Sequence, residues 1–185
     1  MPRRTKRGFT LVELMTVVAV VAILATLAVF SVRKYVYASK TGEAIFMLGS
    51  IKSAQEAFRE ETQRYFDVSD GDLTKTHPMS IAALANQEKV TWAGQTDFPA
   101  ANFYALNVTT DSAVMFAYSS VAGDADTEVP ALAGEPSVAA PDWPSPPGEV
   151  WYVAEAIGDL DGDGIHSVFL TGSFSEAISV ERDGE

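Results

Sequence analysis

Between Phe9 and Phe30 the chain reads FTLVELMTVVAVVAILATLAVF, a 22-residue apolar run with a single carboxylate, Glu13, inside it. As a helix rising 1.5 Å per residue, the run spans roughly 33 Å, about the hydrocarbon thickness of a bilayer. It is therefore long and apolar enough to cross a membrane. A charge at the centre of such a helix costs roughly 2.5–3.5 kcal/mol on insertion scales, and less near the end where Glu13 lies. No Lys, Arg or His occurs between Phe9 and Ser31. The compensating partner must be the lipid interface, another chain, or a group not yet present in this chain.

The flanks bear on orientation and processing. Arg3, Arg4, Lys6 and Arg7 precede the run, and Arg33, Lys34 and Lys40 follow it. That difference is a weak topological signal for an N-terminus on the inner side. The run is longer than the 7–15 residues of an ordinary secretory signal, and no small-residue cleavage site follows Phe30. On charge and length alone, a plain N-terminal anchor explains the segment. Glu13 would then reach toward the headgroups.

The order of residues is more specific. A basic leader ending in Gly8, then Phe9, then an apolar helix with Glu13 at its fifth position, resembles the precursors of type IV pilins and the related type II secretion pseudopilins. The resemblance covers Arg7 to about Ala28. It implies cleavage by a prepilin peptidase between Gly8 and Phe9, N-methylation of Phe9, and assembly of the mature helices into a filament core. There Glu13 would meet the new Phe9 amine of another subunit. The resemblance also implies a precursor in the inner membrane, single-pass with its N-terminus cytoplasmic, then a cell-surface pilus or periplasmic filament. Other pilin subunits and the inner-membrane assembly machinery are the implied partners. Where many members carry a helix-breaking glycine and proline, this chain has Ala22 and Phe30, so a continuous helix is expected.

Beyond the run the pattern changes. Ala44, Met47, Leu48, Ile51, Ala54 and Phe58 recur at three- and four-residue steps, which predicts a helix with one buried face extending to about Arg64. The domain plan is a cleaved leader (1–8), a membrane or filament-core helix (9–32), an amphipathic continuation (33–66) and an antiparallel sheet domain (67–185). A short helical piece is expected at Met79–Asn86. Strands are expected at Asn102–Val108, Val114–Val121, Val150–Ile157, Ile165–Thr171 and Ala177–Val180, from their β-branched and aromatic content and turn punctuation. The Pro-rich stretch 123–148 cannot be sheet interior and is expected as an exposed, semi-extended loop. These elements give an α+β class; laying the helix across the sheet, the pilin-like fold, follows from the resemblance.

Composition narrows the chemistry. The chain has no cysteine and a net charge of −12. Beyond Lys89 the only basic residue is Arg182, so the distal half is a poor match for nucleic acid or anionic lipid. His77 and His166 stand apart from any nucleophile or metal-binding motif, and no enzyme activity is expected. Trp92, Trp143, Trp151, Tyr152, Phe169 and Phe174 are expected in the core or a subunit contact.

One further motif stands out. In GDLDGDGIHS, Asp159, Asp161 and Asp163 alternate before Gly164, as in the first half of an EF-hand calcium loop. The position of that loop's bidentate glutamate is Leu170. Asp-Gly steps are also hairpin turns, and the flanking segments suit the two arms. Calcium is thus the one cofactor suggested, beside a plain acidic turn. The functional expectation is a structural subunit, a major or minor pilin. The alternatives are a type II pseudopilin, or a single-pass anchored calcium-dependent binding domain that does not polymerise.

Overall fold

The computed structural model describes residues 8–134 and 143–181. Helix α1 runs from Leu11 to Thr62. The chain divides into two units, Met1–Tyr37 and Ala38–Glu185.

In the first unit, Leu11–Val29 has a mean hydropathy of 2.5 and none of it is buried. Its hydroxyl side chains are satisfied within the helix. Thr16 Oγ donates to the Glu13 carbonyl (3.0 Å), Thr26 Oγ to that of Ile23 (2.7 Å), and Ser31 Oγ to that of Leu27 (3.1 Å). Hydroxyls bonded one turn back need no water, which suits an apolar medium.

In the second unit, α1 buries Ala44, Met47, Leu48 and Ile51. Farther along, the buried position is Gln55, while Ala54 and Phe58 are only half-buried. Gln55 is polar because its amide receives the chain that leaves the helix. Its Nε2 donates to the Phe66 carbonyl (2.8 Å) and Ser120 Oγ (3.1 Å), and its Oε1 accepts from Phe66 N (2.9 Å). The helix stops at Thr62 as Gln63 turns left-handed (φ 63°) and donates to the Arg59 carbonyl.

The sheet is a four-stranded antiparallel meander in the order β3 (Ala117–Gly123), β4 (Trp151–Gly158), β5 (Ser167–Gly172), β6 (Ser175–Glu181). Register separates its faces: Ser119 lies opposite Glu155 and Glu155 opposite Leu170, while Tyr118, Ala154 and Phe169 point the other way. The second face meets the helix through Gln55 and Ser120, and Tyr65 packs on Tyr152 with ring centroids 4.7 Å apart. Small residues here, Ser120, Ala154 and Ala156, leave room for the helix backbone. Every residue of β4 and β5 is buried, so both faces are covered. That accounts for the near-continuous apolar run of β4 where a half-exposed strand would alternate.

The first face is covered from two directions. One is the segment after the helix, with Leu73, Met79 and Leu84. It also seals the edge of β3: Val68 N and Ser69 N donate to the Ser120 carbonyl, and His77 exchanges two 2.8 Å backbone bonds with Tyr118. Within it, Ile81–Asn86 forms the expected helical piece, as a 3-10 helix. The other cover is the 123–148 loop. Described residues Val129, Leu132, Ala133 and Trp143 pack on Leu73, Val121, Trp151 and Val153. The expectation of an exposed, semi-extended loop is therefore corrected in part: Asp124, Asp126, Thr127 and Glu128 are exposed, but Val129, Leu132, Ala133 and Trp143 complete the core. Pro136 and Pro141 lie outside the described residues.

Two strand expectations change. Asn102–Val108 is not a strand; the chain forms α2 (Ala100–Ala105) between the short paired strands β1 (Val90–Thr91) and β2 (Ala113–Val114). Ala100, Phe103 and Leu106 are buried at three-residue steps, and Asn102 Nδ2 donates to the Val68 carbonyl (2.9 Å). Val114–Val121 is broken into β2 and β3. Glu43 accepts the Met115 amide (2.6 Å), and Phe116 turns in against Phe169, ring centroids 5.5 Å apart.

Candidate functional site

The N-terminal residues that the sequence singled out lie at the start of α1. Gly8 and Phe9 precede the helix, with Phe9 86% exposed. Thr10 and Glu13 form a reciprocal cap. Glu13 Oε2 accepts from Thr10 N (2.8 Å) and Thr10 Oγ (2.7 Å), while Glu13 N donates to Thr10 Oγ (3.3 Å). This is a capping box, in which a Thr and a Glu three residues later satisfy amides left unpaired at a helix start. Glu13 therefore has a local partner, which sequence reasoning overlooked although the T-x-x-E signal was present.

The cap uses one oxygen only. Among the described residues Glu13 Oε1 has no hydrogen bond, so a cation can approach it without dismantling the helix start. The exposed sides of the helix are apolar: Leu11, Val12, Leu14, Val17 and Val18 are all more than half exposed. An anionic oxygen at the head of such a surface can pair with an ammonium group.

The acidic motif lies elsewhere, in the turn from β4 to β5. One carboxylate oxygen from each of Asp159, Asp161 and Asp163 lies within 4.8 Å of the others. Each residue also organises the turn. Asp159, 3% exposed, accepts from Gly162 N (2.6 Å) and Gly164 N (3.2 Å); Asp161 accepts from Asp163 N (3.3 Å) and Asp163 from Ile165 N (2.7 Å). Gly162 and Gly164 take left-handed φ of 83° and 85°. Lys40 of α1 donates to the Leu160 carbonyl (2.8 Å). Leu170 is buried on β5, far along the strand from the turn's tip. The arrangement is a self-supporting acidic turn on a hairpin.

His77 is placed as a structural residue. His77 is 1% exposed, with Trp92 at 4.5 Å and Phe103 at 5.7 Å between ring centroids. Burial pushes its pKa down to about 4, only partly opposed by a backbone bond to Trp92. A neutral ring sealed among aromatics offers nothing to a substrate. Trp92, Trp151, Tyr152 and Phe169 are fully buried, and Trp143 pairs with Phe174.

Residues 3–29 match the model of the prokaryotic N-terminal methylation motif. No curated protein and no solved structure matches the chain.

Proposed function

From an N-terminus that is type IV pilin- or prepilin-like over residues 3–29, we propose that this chain is a structural subunit of a type IV pilus or a closely related filament. The observation that carries the reading is the methylation motif lying directly on an unburied apolar helix, Leu11–Val29. In this reading a prepilin peptidase cuts between Gly8 and Phe9 and methylates the Phe9 amine. The helix holds the precursor in the inner membrane until assembly machinery draws it out.

Cleavage removes Arg3, Arg4, Lys6 and Arg7 and creates one cation, at the position from which a helical stack can bring it to Glu13 of a neighbour. The attraction is strong because the surroundings are apolar: two unit charges at 4 Å interact by about 4 kcal/mol at an effective dielectric of 20, against about 1 in water. Pairing thus selects staggered over in-register packing, and the subunit's role is structural. Its acidic distal half makes nucleic acid a poor partner. A type II pseudopilin would use the same N-terminus in a periplasmic filament.

Mass spectrometry of the N-terminal peptide from native membranes or sheared filaments tests this. The expected terminus is N-methyl-Phe9, and Gly8→Glu should leave the leader attached and the protein in the membrane. A mature terminus anywhere else overturns the reading. The Thr10–Glu13 cap favours a second one, a single-pass anchor that never polymerises, because it gives one oxygen of Glu13 a partner without any neighbour. Absence of the chain from sheared filaments, with Met1 or Pro2 as its terminus, would establish that alternative.

A further inference from the structure

The turn between α2 and β2 carries a three-residue signal that a filament subunit does not need. The chain has three asparagines, Asn86, Asn102 and Asn107, and only Asn107 is followed two residues on by Ser or Thr, as Asn107-Val108-Thr109. Asn-x-Ser/Thr, with x other than Pro, is the acceptor pattern for an N-linked glycan. Three residues recur easily in any chain, so their surroundings have to be suitable as well.

The fold presents both residues that the pattern requires. Asn107 and Thr109 are exposed, while Val108 between them is buried. Asn107 is left-handed (φ 61°); its N donates to the Tyr104 carbonyl (2.9 Å) and Val108 N to that of Phe103 (2.9 Å), which closes the end of α2. A glycine would serve that turn equally well, and the turn makes no use of Thr109. Among the described residues neither the Asn107 side-chain amide nor the Thr109 hydroxyl has a hydrogen bond.

There is also room for a bulky adduct. Asn107 stands on the rim of an open groove of about 640 Å³, whose other wall is α1 with Ile45, Phe46, Gly49 and Ala54. Phe46 is 70% exposed, and a Cβ on Gly49 would meet nothing within 4 Å. No residue lining the groove is charged. The negative face of the Phe46 ring suits the C–H groups of a sugar, whose hydroxyls would stay in water.

We propose that Asn107 accepts an N-linked glycan, attached on the side of the membrane away from the leader. This rests on the single-pass orientation in the proposed function. The donor is an isoprenoid-pyrophosphate-linked oligosaccharide. Asn107 Nδ2 bonds to C1 of the first sugar as the C1–O bond to the pyrophosphate breaks. The carrier leaves with that electron pair, and Nδ2 gives one proton to a base on the transferring enzyme. Because Val108 is buried in the finished fold, transfer comes before the turn closes, as the chain emerges.

Mass spectrometry of chymotryptic peptides of the full chain from its native membranes tests this. A sugar-mass adduct should be located on Asn107 by fragmentation, should persist in Thr109→Ser, and should be lost completely in Asn107→Gln and in Thr109→Ala. Bare Asn107 in the wild type, an adduct on Thr109 or Thr110 instead, or one that survives Thr109→Ala overturns the proposal. Should Asn107→Gln fail to accumulate, the exposed Thr109 variants decide between the same results. N-methyl-Phe9 beside a bare Asn107 would sink the glycan and leave the filament reading standing; a glycan on a chain with an uncut leader would do the reverse.

Discussion

Glu13 has two candidate roles that different substitutions separate. As the third residue of the helix it caps Thr10; as a free anion it would bind a neighbour's amine. Glu13→Gln keeps a capping acceptor and loses the charge. Thr10→Ala keeps the charge and loses the cap, at about 1 kcal/mol of helix stability. If charge pairing drives assembly, the glutamine variant should be excluded from filaments in competition with wild type, and the alanine variant should enter normally. Co-expression followed by quantification of each form in sheared filaments reads this out. The reverse ranking would assign Glu13 to the helix start alone. The motif conceals this distinction because both roles are met by the one glutamate, although only charge pairing requires its negative charge.

At the scale of the element, the helix and sheet of the second unit are joined by one amide as well as by buried apolar side chains. Gln55 binds Phe66 N, the Phe66 carbonyl and Ser120 Oγ, so it fixes both the exit of the chain from α1 and the seat of α1 on β3. Gln55→Ala would leave these polar groups unpaired and open a small cavity, which should cost about 3 kcal/mol. Denaturant unfolding of the full chain in detergent checks this; a loss below about 1 kcal/mol would mean that water replaces the amide. The helical period marks Ala54 and Phe58 as the buried continuation. It misses Gln55, because a glutamine is buried only when its partners, here 11 and 65 residues away, are already in place.

Over the whole molecule, two buried titratable groups act in opposite directions. His77 is held neutral, its pKa lowered to about 4, so the folded state loses stability as pH falls below 6.5, where the unfolded histidine gains a proton. Glu155 is raised to about 7, so its contribution is complete below 4.5 and is lost as pH rises toward 7. Each shift corresponds to something on the order of 3 kcal/mol. Their effects offset one another between pH 4.5 and 6.5. Relative to wild type, Glu155→Gln should therefore lose stability as pH falls from 7 to 4.5, as measured by unfolding across that range. A difference that does not change with pH would mean that Glu155 titrates alike in both states.

What the sequence determined by itself is mostly local. The apolar run and the methylation motif are legible because a helix in an apolar medium depends on residues three and four apart; the Thr10–Glu13 cap, carried by the same local spacing, was overlooked until the side chains were placed. The strands of the meander are legible within about two residues at most ends because β-branched and aromatic runs between Gly and Asp turns repeat the same local signal. The α+β class followed from these two patterns together. Tertiary structure decided the rest. Asn102–Val108 has strand composition, yet it is helical up to Ala105, because Phe103 packs against His77 and Trp92, and Asn102 reaches Val68. The Pro-rich loop reads as solvent-exposed, yet Glu155 holds it to the sheet from about twenty residues away in the chain. Such contacts exist only after the strands pair, since a buried carboxyl and two backbone amides carry no periodicity that a sequence can display.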